Sequence, residues 1–437
     1  MLGDNAGPGT SGADCFSNPS IAQDGPRLTK GLKAARDGGN TMAIPRLRNY
    51  SGPAILSYGF RPFFLAAAIY SGVAIVIWLP LYSGDVAIPT AMSPIDWHIH
   101  EMIYGFLPAV FTGFLLTAIP NWTGRLPLQG MGLAALATLW GAGRLAVFFS
   151  AAIGPIAAGA IDASFLLLVA AVAAREVIAG RNWRNLPPVL ILLVFFAGNV
   201  VFHFEDHVRG TGQVGTRLGV GAAILLISLI GGRVVPSFTR NWLARENPGR
   251  FPQPFGRFDR GALATSAAAL ALWVFAPQWP PTGAVLLLAA VVQTIRLARW
   301  AGDRTLRDRL VLILHIGYGF VPLGFLIVGG AILFPGAIPI SGGVHAWTVG
   351  AIGTMTLAMM TRASLGHTGQ PLSAGRLTQT IYALVILAAA YRIAAAFAPD
   401  SGLFLLHTAA GLWIASFWGF AIGYGPLLWR PKSRSRG

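Results

Sequence analysis

Apolar runs of about twenty residues recur along the whole chain, at roughly 62–83, 98–119, 128–150, 153–174, 187–207, 216–236, 261–277, 281–298, 310–334, 343–361, 378–398 and 402–429. A helix rises about 1.5 Å per residue, so each run is near the length that crosses a hydrocarbon core about 30 Å thick. Inside such a core the backbone must satisfy its own hydrogen bonds, and helices do so within one segment. The spacing therefore predicts an all-α fold, a polytopic membrane bundle of about twelve transmembrane helices forming one domain over residues 51–437. Residues 1–50 are rich in Gly, Ser, Asp and basic side chains and lack an apolar h-region, which predicts a disordered cytoplasmic tail. The 54 Gly and 29 Pro would suggest disorder in a polar chain, but only 11% of residues are charged and 54% are hydrophobic.

The formal net charge is +16, which in a soluble protein would point to nucleic acid. Here the basic residues lie in the segments between apolar runs. If residue 1 is inside, almost all Lys and Arg fall on the inner side, and the outer side keeps Arg209 and Arg217. That asymmetry explains the charge as topology, excludes a nucleic-acid partner, and predicts an even number of spans with both termini cytoplasmic. The single cysteine, Cys15, excludes an intrachain disulfide and a cysteine-held cluster or haem attachment.

Topology then assigns a depth to each of the eight histidines. His98, His100, His203, His207, His345 and His407 fall towards the outer ends of helices, and His315 and His367 towards the inside. One histidine in a bundle is an ordinary packing residue, but several at one depth point to metal chemistry, and imidazole suits haem iron and copper. Trp97-His98-Ile99-His100-Glu101-Met102 opens the second helix. On a regular helix His98 and His100 point about 200° apart, so they share one metal only at an unwound start and otherwise serve separate partners. Glu101 reads either as a first-turn acid complementing the helix dipole or as a proton donor beside a ligating imidazole.

His203 reads as a ligand, whereas His207 lies so near the helix end that it reads as a solvated loop residue. His345 precedes a stretch of small residues that admits a flat macrocycle, which makes it the first choice for an axial haem ligand. Metal-ligand candidates are thus His98, His100, His203 and His345. Arg144 and Arg392 lie near outer helix ends, where they either snorkel to headgroups or pair with haem propionates, and Asp162 either pairs with one of them or carries protons. On the inner side, His315 and Tyr318 group with Gly231-Gly232-Arg233, Thr239-Arg240-Asn241-Trp242, Thr361-Arg362 and His367, as positive-inside residues or as a quinone or proton-entry site.

Several blocks together resemble the NnrS family of bacterial membrane proteins. They are Gly59-Phe60-Arg61-Pro62-Phe63-Phe64, residues 97–102 with Gly105-Phe106, residues 113–124, Gly231-Gly232-Arg233, residues 238–242, residues 315–318, and residues 345–369. The resemblance implies a twelve-helix protein of the bacterial inner membrane that contains haem, of b type, and copper, and that is linked to nitric oxide. It places family histidines at His98, His100, His203, His315, His345 and His367. On that basis the expected activity is reduction of nitric oxide to nitrous oxide at a haem in the outer half of the bundle. His98, His100 and Glu101 would be catalytic, and His345, His203, His315, Arg144 and Arg392 would hold cofactor. Electrons would come from quinol or another carrier, and membrane lipid surrounds the bundle. The alternatives are a haem-based nitric oxide binding, sensing or protective protein, and a transporter.

Overall fold

The computed structural model describes residues 50–124 and 126–431, so the expected tail, apart from Tyr50, lies outside the described residues. Among them there is no strand, and twelve long helices follow one another. They are α1 (Phe60–Ser83), α2 (Pro94–His100, Glu101–Phe106 and Leu107–Thr123 in continuous succession), α3 (Met131–Phe148), α4 (Pro155–Ala179), α5 (Leu186–Arg209) and α6 (Gln213–Glu246). The second six are α7 (Arg257–Phe275), α8 (Pro280–Ala298), α9 (Arg309–Leu333), α10 (Ile340–His345, Ala346–Gly353 and Thr354–Thr368), α11 (Arg376–Phe397) and α12 (Gly402–Trp429).

Ten of these are long and apolar enough to cross a membrane by length and composition; α7 and α10 are the two that are not. The first turn of α7 carries Arg257, Asp259 and Arg260, which lowers its mean hydropathy. In α10 the cause is position. Trp347, Gly350, Ala351, Gly353, Thr354 and Met360 are all buried, so this helix faces other helices and needs small packing residues more than lipid-facing bulk.

Helices α2, α6 and α10 touch one another and form the interior, with the remaining nine around them. The interior helices recur at an interval of four, although the sequence shows no repeat. Arg61 at the start of α1 donates to the carbonyls of Leu428 and Arg430 at 2.8 Å each, capping the end of α12. The chain therefore enters and leaves the bundle on the same face, as an even number of crossings requires. The backbone N–H of Phe60 bonds Thr117 Oγ1 at 3.1 Å and ties the same end of α1 to α2.

Two interior helices contain a π-helical segment, each beginning directly after a histidine: Glu101–Phe106 after His100 and Ala346–Gly353 after His345. Such i→i+5 turns rotate the side chains that follow and concentrate at functional sites. The sequence reading starts α2 four residues late. Ser93 is its N-cap, accepting from the Asp96 N–H at 3.1 Å, with Pro94 in the first turn. The first-turn acid is thus Asp96, and Glu101 sits deeper, fully buried, which removes the dipole-complementing reading of Glu101.

Candidate functional site

The two histidines of α2 face different surroundings. His98, Ile99, Met102, Ile103 and Phe106 line a cavity, while His100 and Glu101 belong to a buried polar cluster on the other face. The sequence alternative of separate partners is the one the backbone adopts.

The cavity has a volume of about 180 Å³, below the range of about 300–1,000 Å³ typical of small-molecule and cofactor sites, and it opens to the outside through a mouth. Its walls come from α1, α2, α6, α10, α11 and α12, and His98, His345 and Arg392 are their ionisable side chains. His98 stacks on Trp78 with ring centroids 4.0 Å apart, and its Nδ1 is buried without a hydrogen-bond partner. His345 Nδ1 lies 2.7 Å from the Ser341 carbonyl. A donor at Nδ1 fixes the tautomer and leaves Nε2 as a lone-pair ligand. Arg392 makes no hydrogen bond or ion pair with the described residues. Two imidazoles with ligand capacity, a guanidinium without a counterion and apolar walls match the chemistry of a haem, which has an iron to ligate, a flat apolar body and two carboxylates.

The polar cluster joins α1 to α5. His100 Nδ1 lies 3.1 Å from Glu101 Oε1, and its Nε2 lies 3.2 Å from both Asp162 Oδ2 and Asn199 Oδ1. Asp162 Oδ2 also accepts from Asn199 Nδ2 at 2.7 Å and faces His203 Nε2 at 3.1 Å. Arg144 bridges the two carboxylates, donating to Glu101 through Nη1 and to Asp162 through Nη2, and the Tyr70 hydroxyl donates to Glu101. A Cβ on Gly105 would fall within the Arg144 guanidinium, which accounts for the glycine of the Gly105-Phe106 block. His100, Asp162 and His203 bring three ligand atoms within 4.8 Å of one another. Two imidazoles and a carboxylate suit Cu(II), Zn(II) or Fe(II), so the donor set fits copper.

The structure thus divides the expected ligands into two sets, His98 with His345 and Arg392, and His100 with His203. Arg144 does not face the cavity, because Glu101 and Asp162 occupy its guanidinium. His315 joins neither set; its Nε2 lies 2.8 Å from Thr239 Oγ1 towards the opposite end of the bundle. His207 is exposed, and His407 Nδ1 bonds its own helix at the Leu403 carbonyl. Arg296, at the end of the apolar run 281–298, is fully buried: it pairs with Asp259 at 3.0 Å and donates to the Ser228 carbonyl and the Tyr318 hydroxyl. Sequence reasoning also misses Tyr70, Asn199 and Trp78. Asn199 lies four residues before His203 and so on its face, the one signal that marks it.

Fold and site define a multi-pass helical membrane protein with a cavity lined by two histidines and an arginine and, near the same end of the bundle, a buried cluster of two histidines and an aspartate. A family model described as "NnrS protein" matches residues 54–432, and the chain belongs to that family. No curated protein and no solved structure matches the chain.

Proposed function

We propose that the protein is a haem- and copper-dependent enzyme of nitric oxide metabolism in the bacterial inner membrane, with both termini cytoplasmic and the site in its outer half. It would reduce two nitric oxide molecules, with two electrons and two protons, to nitrous oxide and water. The single observation that carries the reading is the cavity in which His98, His345 and Arg392 meet. Family membership supplies the link to nitric oxide, haem and copper; the excess of Lys and Arg on one side supplies the orientation.

When bound, haem iron supplies a coordination position for a small gas and an electron path, and copper supplies a second positive centre. His345 and His98 would hold the haem and His100, His203 and Asp162 the copper. Apolar residues from four helices, α1, α2, α10 and α12, make up most of the cavity wall and would admit a small uncharged gas. The contact of His100 Nδ1 with Glu101 keeps Nε2 turned towards Asp162 and His203. Glu101 is a carboxylate that would take up and pass on a proton within a chain of contacts through Tyr70, His100 and Arg144. Electrons would come from quinol or a separate carrier.

Purified, reduced protein supplied anaerobically with nitric oxide should consume it and release one nitrous oxide per two nitric oxide. Glu101→Gln should keep its haem and lose about 10²–10⁴ in turnover. A second reading, a binding or sensing protein without turnover, is favoured by two imidazoles sharing one cavity, since an iron held by both would take up a gas only by releasing one of them, a displacement that signals binding without turnover. A Soret shift with nitric oxide and no nitrous oxide would establish that reading instead.

A further inference from the structure

The cavity wall holds polar groups that a ligated iron would not satisfy. Its threonines are satisfied within their own helices, Thr216 by the Gly212 carbonyl at 2.6 Å and Thr348 by the Val344 carbonyl at 3.0 Å. Left buried without a partner are His98 Nδ1 and the indole Nε1 atoms of Trp78 and Trp413; Arg392, partly exposed, makes no hydrogen bond or ion pair with the described residues, and all four residues are on the cavity wall. A buried N–H without an acceptor is costly, and tryptophan usually finds one when buried.

Depth separates the two indoles. Trp78 lies five residues before Ser83 and Arg392 five before Phe397, the ends of α1 and α11 on the face where α2 and α10 begin. At 1.5 Å per residue both sit about 7.5 Å from that face. His98, four residues after Pro94, and His345, five after Ile340, share that depth. Trp413 is eleven residues after Gly402 and therefore about 16 Å deep, among Phe106 and Phe417. Nε1 of Trp78 and the Arg392 guanidinium are thus donors at one end of the cavity, and Trp413 belongs to its apolar interior.

We propose that Trp78 and Arg392 form a carboxylate-binding pair that fixes the haem by its propionates, the acidic edge at the shallow end and the apolar edge towards Trp413. The assignment rests on the haem reading above and adds which edge is held and by which groups. An anionic acceptor would satisfy both donors, and the Trp78 ring, by stacking on His98, would couple propionate binding to the orientation of that imidazole.

Full-length protein in detergent, depleted of haem, is titrated with haem b and with its dimethyl ester, followed by the Soret band. Helicity and elution volume report folding. Wild-type protein should prefer the free acid. Arg392→Gln should weaken the acid about tenfold or more and Trp78→Phe about threefold, each leaving the ester unchanged, while Trp413→Phe leaves the acid-to-ester ratio at the wild-type value. Equal affinity of wild type for acid and ester, or a ratio that collapses equally in Trp413→Phe, overturns the assignment with haem binding intact. Failure of wild type to bind either compound overturns the haem reading itself, and this proposal with it.

Discussion

Arg144 is the counterion of two carboxylates at once, Glu101 and Asp162, whose exposures are 0% and 3%. Arg144→Gln keeps length and some hydrogen-bonding capacity but leaves two buried anions. Glu101 then retains Tyr70 and His100, and Asp162 retains Asn199, His100 and His203, so neither group is stranded without donors. Breaking a buried pair by removing one partner costs about 3–5 kcal/mol, and here that is the expected loss in unfolding free energy. Arg144→Lys should fall between, because a point charge cannot bridge both carboxylates as the guanidinium fork does. Asp162→Asn placed on Arg144→Gln removes one uncompensated anion, so the double variant should be more stable than the sum of its singles by about 1–3 kcal/mol. Reversible unfolding in mixed micelles, read by circular dichroism, gives all four corners of the cycle. A loss below about 1 kcal/mol for Arg144→Gln, or strict additivity in the cycle, would refute the buried-pair argument.

Gly232→Ala should destabilise the protein by about 1–3 kcal/mol, since its Cβ would fall inside the buried Arg296 guanidinium; thermal melting in detergent checks this, against an unchanged Gly261→Ala control with open space at Cβ. Arg61→Met removes the donor that holds the Leu428 and Arg430 carbonyls, and should speed hydrogen exchange at the end of α12 at least tenfold while sparing α7.

The fold was legible because hydropathy over twenty residues is a strong signal and because a membrane leaves few alternatives to helices. Its finer features were not. Both π-helical segments look like ordinary helix in sequence, since a single inserted turn changes backbone pairing without changing composition. Ser93-Pro94-Ile95-Asp96 is a readable N-terminus that the hydropathy window hides, because the first apolar-rich residues come later. Arg296, near the end of the apolar run 281–298, counts by sequence position as one more inner-side charge, and that position does not show that Asp259, on the neighbouring helix, lies opposite.

At the site, residue types were legible and pairings were not. Histidine depth followed from topology, and the 200° between His98 and His100 anticipated two surroundings. That Arg392 faces the cavity while Arg144 is taken up by Glu101 and Asp162 depends on which helices adjoin, since α3 packs on α4. Nothing in a one-dimensional pattern distinguishes two arginines at similar depth. The role of Trp78 was hidden for the same reason, as an interfacial tryptophan near a helix end is what any membrane helix shows.

The account turns on two separate sites, and optical spectra with metal analysis of four purified variants test it most directly. His98→Ala and His345→Ala should lose or shift the Soret band while keeping copper at the wild-type ratio. His100→Ala and His203→Ala should lose copper while keeping haem. A full wild-type Soret band in His345→Ala, or loss of haem in His203→Ala with copper retained, would contradict the division of the histidines.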